Sequence, residues 1–228
     1  MKRTVLSIVA LALSLCSLVA QDYRPTTTWP YLYADFQQGT LKKHQGEPVE
    51  GTYNIHLYKG TLHFIENGMI REASSVEVFS MKTGQDYYAN VGGTMMKVLA
   101  QSDNGFVAKE IIADIAALNA TGGAYGSSSN SIATQALSSL EGIGGNRSNM
   151  NHMELKNSKD DGQILPVKEK LYLVMPGKIV FAAKKDVSGI DGLDSKELNA
   201  FIKENKIKWR DPQSLIVLLD FISDKTQK

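Results

Sequence analysis

The chain has a single cysteine among its 228 residues, Cys16, and that one lies in an apolar run near the N-terminus. Residues 1–20 have the form of a signal peptide: basic Lys2 and Arg3, a fifteen-residue apolar stretch over 5–19, and the small Ala20 ahead of Gln21. The run is shorter than the roughly 20 residues that a spanning helix needs. Leu15 in front of Cys16 disfavours lipidation, which requires a small residue there. Removal of the leader leaves 208 of the 228 residues with no cysteine. Disulfide scaffolding and thiol catalysis are then excluded, and the fold must rest on an ordinary apolar core, which a chain of this length can bury.

An excess of charge of one sign is lacking as well. Without Lys2 and Arg3, 23 basic residues face 24 acidic ones, a net of −1, and no basic block exceeds the pairs Lys42–Lys43 and Lys184–Lys185. That is not the electrostatic footprint of a nucleic-acid binder. No second long apolar run follows Ala20, so no integral membrane span is expected after cleavage. A membrane β-barrel fits poorly, because the chain ends in a helical pattern and outward apolar bands are not evident.

The usual catalytic signatures are also missing. There is no Gly-x-Ser-x-Gly, no phosphate-binding loop and no His-Glu-x-x-His, and histidine occurs only at 44, 56, 63 and 152. Ser102-Asp103-Asn104 and Lys82-Thr83-Gly84 match two serine-hydrolase triplets, but in reversed order and without a Ser-x-x-Lys. Both stand where turns are expected. No catalytic residue and no cofactor is assigned.

What the sequence has in quantity is alternation. Residues 52–58, TYNIHLY, put Tyr53, Ile55 and Leu57 on one face and Asn54, His56 and Tyr58 on the other. Lys59-Gly60 as a two-residue loop into TLHFIE sets 57 against 62 and 55 against 64, a continuous apolar face. Asn67-Gly68 is a stronger hairpin signal; a three-residue loop over 66–68 sets Phe64 opposite Ile70. VEVFSM, DYYANV, MMKVLAQ and FVAKEII follow, parted by Thr83-Gly84, Gly92-Gly93 and Asn104-Gly105, which predicts a meander of about six or seven antiparallel strands. Residues 109–118 fit a strand or a helical stripe. Pro176-Gly177 reads as the turn of a further hairpin.

Asp194 and Glu197 form a capping-box pattern ahead of Leu198, Phe201 and Ile202. Pro212 opens a last helix whose stripe is Leu215, Leu218, Leu219 and Ile222. The fold class is therefore α+β: an antiparallel meander sheet with two C-terminal helices packed on it. Between the halves lies a stretch, 119–150, in which 17 of 32 residues are Gly, Ser or Asn. The organisation expected is a signal peptide over 1–20, a β-rich part over 21–118, a Gly/Ser-rich loop over 119–150, and a hairpin plus two helices over 151–228 that form one domain with the first part. The loop is expected to be an excursion from that domain, either poorly ordered or ordered by a partner. Within it, 132–142 carries a thin helical stripe after Asn130 or Ser131 as a cap, and the flanking glycines argue against a stable helix.

Three constellations carry candidate chemistry. In the Lys59-Gly60 register His56 faces His63 across two strands, with Cβ atoms about 5 Å apart. Such a pair supplies two imidazoles for a metal such as zinc or nickel, but a site needs a third ligand and that register offers no carboxylate. The plainer reading is a solvent-facing polar pair. Residues 186–197 resemble a calcium loop in spacing, but Ile190 stands where an oxygen ligand is needed and Asp191 where glycine is needed. The aromatics Tyr23, Trp29, Tyr31, Tyr33 and Phe36 suit stacking on sugars or peptides, or an edge strand tucked onto the core. Tyr125, alone among the glycines and serines, is a candidate partner contact.

LYADFQQGTL at 32–41, TGGAYGSSSNSIAT at 121–134 and FIKENKIKWRDPQSLIVLLDFI at 201–222 together resemble a group of uncharacterised exported proteins of Bacteroidota-type Gram-negative bacteria. The resemblance covers most of the mature chain. It implies export to the periplasm or the outer-membrane periphery, and supplies no activity or catalytic residue. The function expected is a non-enzymatic envelope protein that binds a protein or surface partner, such as an accessory subunit of an outer-membrane-associated complex. The rival is an exported hydrolase or metal-dependent enzyme built on His56 and His63.

Overall fold

The computed structural model describes residues 30–114, 150–151 and 166–226. The leader over 1–20, the stretch over 119–149 with Tyr125, and the possible helix over 132–142 lie outside the described residues. The strands are β1 (Gln37–Lys43), β2 (Val49–His56), β3 (Thr61–Glu66), β4 (Met69–Glu72), β5 (Val78–Thr83), β6 (Asp86–Val91), β7 (Thr94–Ser102), β8 (Gly105–Ala113), β9 (Met150–Asn151), β10 (Val167–Met175) and β11 (Lys178–Phe181). Three helices follow: α1 (Lys184–Ser188), α2 (Ser195–Glu204) and α3 (Pro212–Thr226). The α+β class is as expected, with the short α1 in addition.

All of these strands join one antiparallel sheet in the order β11-β10-β8-β7-β6-β5-β1-β2-β3-β4-β9. The expected single meander is corrected here. Strands β1–β4 form one meander and β5–β8 another, and β5 returns to the free edge of β1 rather than pairing with β4. The link over 73–77 is short for a return past three strands, which a coiled sheet permits and a flat one does not. Asn90 secures that link: its Nδ2 donates to the carbonyls of Ser75 and Val78. The coiling also brings the β2–β3 turn against the far strands, where Met95 N–H donates to Gly60 O and Ala113 N–H to Leu57 O, each at 2.8 Å.

One face of the coiled sheet carries two cores. The first is built from Leu41, Tyr53, Ile55, Leu57, Leu62, Met81, Tyr88 and Met95. The apolar face read from Tyr53, Ile55, Leu57 and Leu62 is therefore the inner one. In the second core, Val107 and Leu173 of the sheet meet Leu198 of α2 and Leu215, Leu218, Leu219 and Ile222 of α3. Helix α3 starts at Pro212, and its four-residue stripe is wholly buried. Phe221 stacks on Phe201 of α2, with centroids 4.0 Å apart. Two hydrogen bonds add direction: Asp220 accepts from Ser102 Oγ (2.6 Å) and Asn104 Nδ2 (3.0 Å), pinning α3 to the β7–β8 turn. Ser102-Asp103-Asn104 is thus turn and helix anchor, and Lys82-Thr83-Gly84 spans the β5–β6 turn.

Two registers differ from the expected ones. The β3–β4 turn is a two-residue Asn67-Gly68 turn with both residues left-handed (φ 53° and 77°), so Ile65, not Phe64, faces Ile70. That conformation matches the strand twist, and a one-residue slip exchanges the faces. Ile70 consequently joins Tyr31 and Phe36 on the outer side. The β2–β3 connection is longer than expected: Tyr53 pairs with Phe64 and His56 with Thr61, leaving 57–60 as the turn. The extra length lets Leu57 enter the core and Gly60 reach β7. A Cβ at Gly60 would stand 2.5 Å from Thr94 Cγ2, and its φ of 67° also favours glycine.

Candidate functional site

Residues 30–36 form a strap beside β2, with Tyr31 turned to the outer face over His56 and His63 and Leu32 packed in the first core. Leu57 N–H donates to Pro30 O and Leu32 N–H to Ile55 O, so the strap runs antiparallel beside β2. Asn54, fully buried, replaces the missing ladder: its Nδ2 donates to Tyr33 O (2.8 Å), and its Oδ1 accepts from Tyr33 N–H (3.1 Å) and Ile55 N–H (2.9 Å). A buried amide whose polar ends are both paired is the condition under which such a side chain stabilises a core. The aromatics of this region are divided accordingly. Tyr31 and Phe36 are buried on the outer side of the sheet, with ring centroids 4.8 Å apart, while Tyr23 and Trp29 lie outside the described residues.

Under the strap lie the two predicted histidines. His63 is directly opposite Asn54, and His56 opposite Thr61, so the pair is diagonal rather than opposed. A shift of two residues preserves the face, which is why they still meet. The solvent-facing reading is corrected: both are buried, because the strap covers them. Their rings are stacked, 5.1 Å between centroids and 11° from parallel. Tyr31 stands edge-on to both at 5.4 Å.

The hydrogen-bonding roles of the two imidazoles differ. His63 Nδ1 is 2.8 Å from the Tyr31 hydroxyl, and its Nε2 is 3.3 Å from Thr61 Oγ1 and 3.6 Å from a Glu72 carboxylate oxygen. Glu72, on β4, is the carboxylate that a two-strand register could not reveal. The His63 hydrogen bond holds the Glu72 carboxyl below its ordinary range. Burial, with Glu72 adding to it, raises the Tyr31 hydroxyl above its ordinary value and keeps it protonated. His56 Nε2 is buried without a hydrogen-bond partner. Burial first, then His63 and Lys59, pushes the His56 imidazole down to about 3, so it is neutral at ordinary pH.

This geometry does not favour a shared metal. An ion must lie along the in-plane lone pair of each ligating nitrogen at about 2.0–2.1 Å, and lone pairs of stacked rings run side by side. Among the described residues no group of three His, Cys, Asp or Glu side chains is set to hold an ion. The calcium-like spacing is used otherwise: Asp194 caps α2 by accepting from the Lys196 and Glu197 amides, and Glu197 pairs with Lys225 at 2.8 Å rather than reaching back. A second polar cluster fastens the other side of the strap. The Tyr33 hydroxyl bonds Asp86 (2.9 Å) and the Tyr88 hydroxyl, and Lys97 pairs with Asp86 at 2.7 Å.

The sheet face opposite the two cores has a small buried cluster of its own, Val91, Met96 and Ala108, with Ala89, Phe106 and Val174 packed against it. A groove of about 630 Å³ has Val98, Phe106 and Val174 among its lining, together with Phe79, Tyr87 and Ala89 from β5–β6 and Ile179 from β11. Phe79 and Ile179 are 44% and 50% exposed, in contrast to the fully buried leucines of the other face. Lys178 is the one charged residue of the lining among the described residues. Sequence reading missed this groove because its members come from strands scattered over 79–179. The alternation that marks one face as core also marks the other as outer, but not which outer residues converge. Neither a family model, nor a curated protein, nor a solved structure matches the chain, so the fold and these two sites stand on their own geometry.

Proposed function

We propose that this is an exported envelope protein that performs no chemistry of its own and binds a protein partner through the apolar groove on the outer face of the β5–β11 half-sheet. The observation that carries the reading is the exposure of Phe79, Tyr87 and Ile179 together in the groove lining, with exposed Phe181 next to Ile179 on the same side of β11. Large apolar side chains gathered in one exposed concavity mark interaction surfaces, whereas scattered ones do not. Export to the periplasm or outer-membrane periphery is supported by the basic-apolar-small order of residues 1–20 and by a mature chain without cysteine. No helix among the described residues is long and apolar enough to cross a membrane.

The test is comparative capture from native envelope fractions. Wild-type protein and a Phe79→Ser/Ile179→Ser/Phe181→Ser variant are immobilised side by side. The expected result is at least one protein held by the wild type and lost by the variant, whose denaturation midpoint is unchanged. An identical captured set, or none from either, overturns the reading.

A further inference from the structure

The groove is bounded by a sheet edge, and the edge specifies what fits. Strand β11 pairs with β10 on one side, and among the described residues no strand lies on its other side. Ala182 N–H donates to Leu171 O. In an antiparallel ladder hydrogen-bonded positions alternate, so Val180 and Lys178 also point their backbone groups at β10. The peptide N–H groups of Ile179 and Phe181 and the carbonyl of Ile179 therefore face outward. The Phe181 carbonyl is taken by Ala183 N–H at 2.7 Å. An unpaired run of this kind is a template for another extended backbone. The Ile179 and Phe181 side chains rise from the same strand on the groove side, both exposed.

We propose that the partner enters as an extended peptide that adds a strand to the free edge of β11, places alternate apolar side chains in the groove, and sets an acidic group beside Lys178. The inference rests on the groove-binding reading and names the partner class for it. Backbone bonding to Ile179 supplies register, and alternate side chains supply selectivity, as in other strand additions. The acidic preference follows from charge: among the described residues Lys178, at the turn end of β11, is the one charged residue of the lining, and Lys42 Nζ lies 5.4 Å from the centroid of the Phe79 ring on the opposite wall. An acyl chain would use the apolar walls but neither the ladder positions nor their spacing. A second copy of this chain would use the edge without needing the cation.

The test uses the full chain as bait for a displayed library of short random peptides, followed by synthesis of the enriched sequence. Enrichment of alternating apolar residues with one Asp or Glu is expected. N-methylation of the alternate amides that face β11 should weaken binding at least about tenfold, or 1.4 kcal/mol. Ile179→Pro removes an outward N–H, spares the β10 ladder, and should weaken binding as much with an unchanged denaturation midpoint. Lys178→Glu should turn the preference from acidic to basic peptides. The proposal is overturned by no enrichment, by indifference to N-methylation, by displacement of the peptide by dodecanoate with tighter binding, or by a dimer in sedimentation that the peptide leaves intact. Loss of captured proteins in the groove variant without any peptide effect would sink this inference alone; retention of all captured proteins would sink the groove reading with it.

Discussion

His56 and His63 lie stacked beneath Tyr31, 5.1 Å between ring centroids, and only one of the two has its ring nitrogens engaged. His63 is bonded on both sides, while the buried Nε2 of His56 meets nothing. From that asymmetry follows a dependence of stability on acid. The folded value of His56 is about 3, against an ordinary 6.5. Between those two values the unfolded chain takes up a proton that the folded chain refuses. Stability is therefore complete above about pH 6.5 and falls as pH drops toward 3, by no more than about 1.4 kcal/mol per pH unit from this group. Glu72, held low, acts in the same direction at the acid end. Urea melts at stepped pH should show this slope. In His56→Phe it should flatten between about pH 6.5 and 4.5, with neutral-pH stability within about 1.5 kcal/mol of wild type.

Tyr31→Phe tests the strap. It leaves the buried Nδ1 of His63 without its hydroxyl partner and should cost about 1–3 kcal/mol. Tyr31→Ala also empties the space over both imidazoles and should cost about 3–5 kcal/mol. Tyr33→Phe should be milder, about 0.5–1.5 kcal/mol, because Lys97 still pairs with Asp86. Equal losses in Tyr31→Phe and Tyr33→Phe, read from chemical denaturation, would show that the buried His63 bond does not distinguish the two sides of the strap.

Gly105→Ala should be among the most damaging single changes in the sheet. Gly105 has φ 152°, and a Cβ there would collide with the carbonyl oxygen of Val174. That oxygen belongs to the backbone of β10 and cannot swing aside. A loss of at least about 2 kcal/mol is expected in thermal or urea unfolding.

Helix α3 is held by volume more than by polarity. Leu219→Ala removes a fully buried side chain and should cost about 2–5 kcal/mol. Asp220→Ala removes the acceptor for Ser102 and Asn104 at a partly buried position and should cost about 1–2 kcal/mol. Hydrogen exchange in Asp220→Ala should rise at the β7–β8 turn before it rises in the core.

Much of the fold was legible because its signals are local. The alternation of Tyr53, Ile55 and Leu57 marked the inner face, Asp194 and Pro212 marked two helix starts, and Pro176-Gly177 closed its hairpin as read. Each depends on residues within a turn or two of one another. What was misread depended on distant partners: the β2–β3 turn is lengthened by the demand of Gly60 on β7, and β5 leaves its meander to pair with β1.

The candidate site divides along the same line. Sequence alone determined that His56 and His63 share a face, because strand alternation has period two and survives a two-residue shift. Only the tertiary structure decided that a strap from residues 30–36 buries them, that Glu72 stands beside them, and that Asn54 holds the strap in place. Likewise, the sequence determined that β11 carries Ile179 and Phe181 on one side. Only the coiling of the sheet decided that Ile179 and Phe79, 100 residues earlier, line one groove. Period and turn chemistry are written in neighbouring residues, whereas convergence of distant strands depends on the accumulated twist of the whole sheet.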